Sequence, residues 1–134
     1  VDMHYTGYVY RDAPRRPADK QSYRDLTGAE IDRFALVGLP IRLEHGGQET
    51  TVGVITKQHA VNARGDAAIE FDLHANIWGW VSDQLILQGG LPELSLKHLL
   101  YPGDGTLVPV EVSLVMEVCP RDALFLPRMA AAAN

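Results

Sequence analysis

The sequence predicts a mainly β domain carrying a few helices, an α+β fold. Short runs alternate apolar with polar residues at a period of two, two segments repeat apolar positions at helical spacing, and Gly, Pro, Asn and Asp collect at the joints. At 134 residues the chain can bury one hydrophobic core and is too short for two. It is read as a single domain over 1–134, with 127–134 as a candidate flexible tail.

Met3 to Tyr10 alternates aromatic and β-branched residues with small ones and opens the domain as a strand. Arg11 to Ser22, with Pro14, Pro17 and several charges, has the composition of an exposed loop. Thr27, with Glu30 three positions on, forms a capping box, and Ile31, Phe34, Ala35 and Val37 extend it into an amphipathic helix ending near Gly38. Ile41 to His45 alternates again, which puts Ile41, Leu43 and His45 on one face and Arg42 and Glu44 on the other. Gly46 to Glu49 is a turn. Val52 to Lys57 returns as a strand with Val52, Val54 and Thr56 on one side, a hairpin with His45 at its turn end.

Asn62 to Asp66 turns the chain into a strand over Ala67 to Leu73. From Ala75 to Leu87 the apolar Ile77, Trp78, Val81 and Leu85, with Leu87 as a further candidate, recur at helical spacing, with Gly79 as a weak point and Gly89-Gly90 as the stop. Leu91 to Leu100 and Leu107 to Met116 read as strands joined by a turn rich in Pro, Gly and Asp. Neighbours joined so closely pair antiparallel, and Ser95 and Glu111 then lie near each other across the ladder.

Composition narrows the function. With 46% hydrophobic and 22% charged residues the chain is an ordinary globular domain, and no apolar run approaches the roughly 20 residues of a membrane-spanning helix. The start, Val1 to Tyr5, lacks the pattern of a secretory signal, so none is expected. A single cysteine, Cys119, cannot form an intrachain disulfide and is expected to be a buried structural thiol. A formal charge of -5 argues against nucleic acid as a partner, and the one adjacent basic pair, Arg15-Arg16, lies in a proline-flanked loop. No helix-spaced pair of histidines, phosphate-binding glycine loop or G-x-S-x-G elbow is present, so neither a metal nor a cofactor is expected.

What remains is a base, a nucleophile and an acid, each embedded in a strand. A strand serine is most often bonded only to backbone. Ser95 acquires a functional reading only if a histidine reaches it, because a hydroxyl is a poor nucleophile near neutrality without a base. His4, His59 and His74 lie in terminal or polar segments and read as surface residues; His98 is three positions from Ser95 on the same strand, which points it to the opposite face. His45 is therefore the better base. Glu111 is the acid expected to orient it, with Asp72 and Glu44 as rival carboxylates and His98 as the alternative third member.

These segments, in this order, resemble the herpesvirus capsid maturation protease, assemblin, and the related prohead proteases of tailed phages. Tyr5 to Tyr10 resembles the start of the herpesvirus enzymes, and Leu39 to His45 with Val52 to Ile55 resembles their first catalytic histidine segment. Leu94-Ser95-Leu96 is similar to the nucleophile segment, and Glu111 to Val115 is similar to the segment of the third catalytic residue. The resemblance runs from about Tyr5 to about Phe125. It implies a closed antiparallel β-barrel surrounded by a few helices, and a serine endopeptidase that cleaves internal scaffold protein and its own precursor inside immature capsids of an infected cell, in the nucleus for a herpesvirus-like enzyme. In the herpesvirus enzymes the third residue is a second histidine; in the phage enzymes it is an acid, as Glu111 is here.

The resemblance also implies an oxyanion hole in a loop after the third residue, where Arg121 is the candidate. It implies a homodimer built by further C-terminal helices, which are not expected after Phe125 here. The apolar Leu124-Phe125-Leu126-Pro127 then becomes a candidate for self-association, and Ala130 to Asn134 a candidate remnant of a self-release site. Two functions follow: a capsid maturation serine protease using Ser95, His45 and Glu111, or a catalytically silent β-barrel module binding scaffold or capsid protein.

Overall fold

The computed structural model describes residues 2–10, 26–87, 93–101, 103–115 and 130–131. They form β1 (Met3–Tyr10), a one-turn α1 (Gly28–Ile31), β2 (Pro40–Leu43), β3 (Gly53–Gln58), β4 (Ala67–Leu73), α2 (Ile77–Leu87), β5 (Glu93–Tyr101), β6 (Thr106–Val115) and the short β7 (Ala130–Ala131). The strands make one sheet in the order β5-β6-β2-β3-β4-β1-β7. The loop over 11–22 and the Leu124 to Pro127 segment fall outside the described residues.

β4 shows why the register is unique. Ala67, Ile69, Phe71 and Leu73 are buried in strict alternation, Phe71 stacks on Tyr5 of β1 with ring centroids 5.7 Å apart, and Ile55 of β3 packs in the same core. Each large apolar side chain so buried contributes about 1.5–3 kcal/mol, and a slip by one residue would turn all four outward.

The sheet departs from the expected closed antiparallel barrel. It is curled enough to bring β1 and β5 into contact, yet β5 and β7 remain as its edges. One pair is also parallel: β2 lies beside β6, Ile41 with Val112 through Leu43 with Leu114. After β2 the chain runs through β3, β4, α2 and β5, and β6 then re-enters next to β2 in the same direction.

Three local expectations are corrected. The Thr27 capping box forms, with Thr27 Oγ1 accepting from the Glu30 N–H and Glu30 Oε1 accepting from the Thr27 N–H. The helix it starts nevertheless ends at Ile31 and does not reach Gly38. The Leu36 N–H donates to Gln58, and Gly38, at φ +94°, donates to the Ile55 carbonyl, so β3 takes the backbone a longer helix would need. In β3 the core side is that of Gly53 and Ile55, not that of Val54 and Thr56.

In α2 the buried side is Gly79, Ser82 and Ile86, while Ile77 and Trp78 are exposed. Gly79 is a requirement there and not a weakness. A Cβ at that position would stand 1.6 Å from the His74 carbonyl oxygen.

Candidate active site

β5 and β6 define the floor of the site. Leu94 on β5 and Val112 and Leu114 on β6 are buried in the core, so Ser95, Glu111 and Ser113 share the other face. Ser95 lies directly across from Ser113, and Lys97 across from Glu111. Ser95 and Glu111 are therefore diagonal neighbours and not a facing pair.

His45 reaches this face by a route that strand alternation does not describe. β2 stops at Leu43, and Glu44 and His45 follow in the left-handed region at φ 51° and 53°. That conformation costs roughly 1–2 kcal/mol for each non-glycine residue. Backbone bonds hold it: the Glu44 N–H donates to the Leu114 carbonyl at 3.1 Å, the Gly46 N–H to the Leu43 carbonyl at 2.8 Å, and the His45 N–H to Ser113 Oγ at 3.0 Å. The parallel placement of β2 on β6 makes the bonds to Leu114 and Ser113 available. The expectation that His45 belongs to β2 is thus corrected; the turn, not the strand, aims it.

The imidazole then sits between two side chains. Its Nδ1 is 2.8 Å from Glu111 Oε1 and its Nε2 is 2.9 Å from Ser95 Oγ. Glu111 is fully buried, and its second oxygen accepts a 2.9 Å hydrogen bond from the Ser113 hydroxyl. An ionised carboxylate can only accept, which assigns the ring proton to Nδ1 and leaves the Nε2 lone pair for the Ser95 hydroxyl. The His45 side chain is 34% exposed, so the serine end of this chain of bonds faces solvent while the carboxylate end does not.

Of the other candidates, Asp72 is engaged elsewhere and Glu44 lies in the turn. His98 makes no hydrogen bond to His45, and its Nδ1 is buried without a partner among the described residues. Arg121 lies outside the described residues. Ser113 was not anticipated as part of the site, although its spacing of two from Glu111 on a strand put both on one face.

A second group of histidines escaped sequence reasoning because β-pairing assembles it. His4 on β1 lies between Asp72 and Glu70 on β4, with Nδ1 2.5 Å from Asp72 Oδ1 and Nε2 2.7 Å from Glu70 Oε1. His59 Nε2 is 2.7 Å from the other oxygen of Glu70. Hydrogen bonds with Asp72 and then Glu70 hold His4 above its ordinary value of 6.5, and the bond from His4 holds Glu70 below 4.5.

Neither a protein-family model nor a curated protein sequence matches the chain. Solved structures do. The protease of Kaposi's sarcoma herpesvirus in complex with an allosteric inhibitor superposes with a TM-score of 0.65 at 19% identity, over 98% of this chain and 76% of that one. The same viral protease with a hexapeptide phosphonate inhibitor gives 0.59 at 18% identity, over 86% and 60%. The varicella-zoster virus protease gives 0.55 at 14% identity, over 100% and 65%. The chain thus spans less than two thirds of the length of the last two. Identities this low speak to architecture: the chain has the assemblin-like fold of the herpesvirus proteases.

Proposed function

We propose that the chain is a viral capsid maturation serine endopeptidase in which Ser95 is the nucleophile, His45 the general base and acid, and Glu111 the orienting carboxylate. The observation that carries this reading is the unbroken line of hydrogen bonds from Ser95 Oγ through both nitrogens of His45 to the buried Glu111. The assemblin-like fold supports it independently.

In the proposed reaction His45 Nε2 takes the Ser95 proton as Oγ attacks the scissile carbonyl, giving a tetrahedral oxyanion and an imidazolium paired with Glu111. His45 returns that proton to the departing amine, which leaves an acyl-enzyme on Ser95. Water, deprotonated by the same nitrogen, releases the acid and restores the hydroxyl. Glu111 keeps the imidazole in the one tautomer that can start this cycle and stabilises its charged form. The Arg121 segment is assigned to the oxyanion.

The proposed substrates are the scaffold protein inside an immature capsid and the enzyme's own precursor, and the proposed active form is a self-associated one. The test is incubation of purified scaffold with this chain over a range of protein concentrations, read by mass spectrometry. Discrete scaffold fragments that Ser95→Ala does not produce are expected, at a specific activity that rises with concentration, as mass action requires if only the associated form works. Intact scaffold at every concentration would overturn the protease reading. Fragments formed at constant specific activity would remove only the self-association.

A further inference from the structure

We propose that Ser113 is the positioning residue of this site, a single hydroxyl that sets both the acid and the base. The proposal rests on the reading of Ser95, His45 and Glu111 as a catalytic triad. Ser113 is fully buried on β6 and stands directly across the ladder from Ser95. Its Oγ has one proton and donates it to Glu111 Oε2 at 2.9 Å; its lone pair accepts the His45 backbone N–H at 3.0 Å.

Each of those bonds has a separate task. A carboxylate that accepts from His45 through one oxygen is still free to rotate about its last bond, and the donor on its other oxygen removes that freedom. The bond to the His45 amide fixes a backbone that sits in the left-handed region, where the chain would otherwise relax and withdraw the ring from Ser95. Glu111 and His45 are 66 positions apart in sequence, the one on β6 and the other in the turn after β2. Ser113 is the one side chain among the described residues bonded to both.

A residue that merely fills space would affect stability and leave the geometry of the pair alone. A positioning residue must instead affect turnover and the His45–Glu111 hydrogen bond. A displacement on the order of 1 Å at a reacting group costs about 10²-fold in rate. The experiment compares Ser113→Ala, Ser113→Thr and Ser113→Cys with the parent chain. It follows the rate of Ser95 phosphonylation by a fluorophosphonate, kcat and KM on a peptide substrate, and the low-field proton signal of a ¹⁵N-labelled His45 ring.

The expected result is that Ser113→Ala lowers kcat and the labelling rate by about 10- to 100-fold with KM nearly unchanged, and shifts or broadens the His45 ring proton. Ser113→Thr, which keeps the hydroxyl, restores both. If Ser113→Ala does not fold, the pair Thr and Cys makes the same comparison, since a thiol is a weak donor and the threonine variant is expected to be the faster. Unchanged kcat and an unchanged ring-proton signal in the variants that lack the hydroxyl would overturn the proposal. A parent chain whose Ser95 is not labelled would overturn the triad reading instead, and the ring-proton signal would still report whether Ser113 holds the pair.

Discussion

His45 shows how much of a site can depend on two backbone angles. Neither Glu44 nor His45 is glycine, and both adopt a conformation that L residues avoid, so the turn exists because β6 supplies an acceptor and a hydroxyl for its amides. Glu111→Gln is expected to reduce kcat on the order of 10⁴-fold while leaving residual activity, because the amide can present its N–H to His45 and favour the wrong tautomer. His98→Ala is expected to leave kcat within about threefold of the parent, since His98 makes no bond to His45. A silent Glu111→Gln beside an inactive His98→Ala, in peptide-cleavage assays, would make His98 the third member. The residue types of the site were legible in the chain because each sits in an alternating run whose faces can be counted. The path of His45 was not, since two successive left-handed residues without glycine leave no local signature, and Ser113 acquires its meaning only when β2 is laid on β6.

At the level of elements, local rules held where nothing competed and failed where tertiary bonds did. The capping box of Thr27 and Glu30 starts a helix as its residues require, and the sheet ends it after one turn by engaging Leu36 and Gly38. α2 was placed correctly along the chain, but its buried stripe is the small and mixed one of Gly79, Ser82 and Ile86, because only glycine can approach the His74 carbonyl. Exposed Ile77 and Trp78 make the helix look amphipathic in the wrong direction.

The ladder β1–β4–β3 builds the His4, Glu70, Asp72 and His59 group, and its titration has a definite sign. His4 is raised, so its contribution to stability is complete below 6.5 and is lost as pH rises through the raised folded value; Glu70 is lowered, so its contribution is complete above 4.5 and is lost as pH falls through the lowered one. Both are complete between those values. The difference in Tm between the parent and His4→Asn is therefore expected to be largest between pH 4.5 and 6.5 and to shrink as pH rises through the raised value of His4. Thermal unfolding that shows a difference independent of pH would mean that the His4 ion pairs contribute nothing to the folded state.

Over the whole molecule, the mainly β class with helices was readable from periodicity, and the antiparallel pairing of β5 with β6 followed from the short turn between them. The parallel contact of β2 with β6 was not readable, because strands so far apart in sequence carry no mark of their neighbourhood. Yet that contact makes the site: it sets the turn after β2 against Glu111 and Ser113, and β5 adds Ser95 from the sheet edge. A curled open sheet suffices for this, since the three strands that supply the site are adjacent. In the proposed mechanism Ser95 is chemically activated by the groups this arrangement brings to it. Exposure of the chain to a fluorophosphonate, followed by mass spectrometry of its peptides, measures that activation without any assumption about substrate. The expected result is a single adduct on Ser95, absent from Ser95→Ala and His45→Ala and formed more slowly by Glu111→Gln. No adduct, or one spread over other serines at similar rates, would contradict it.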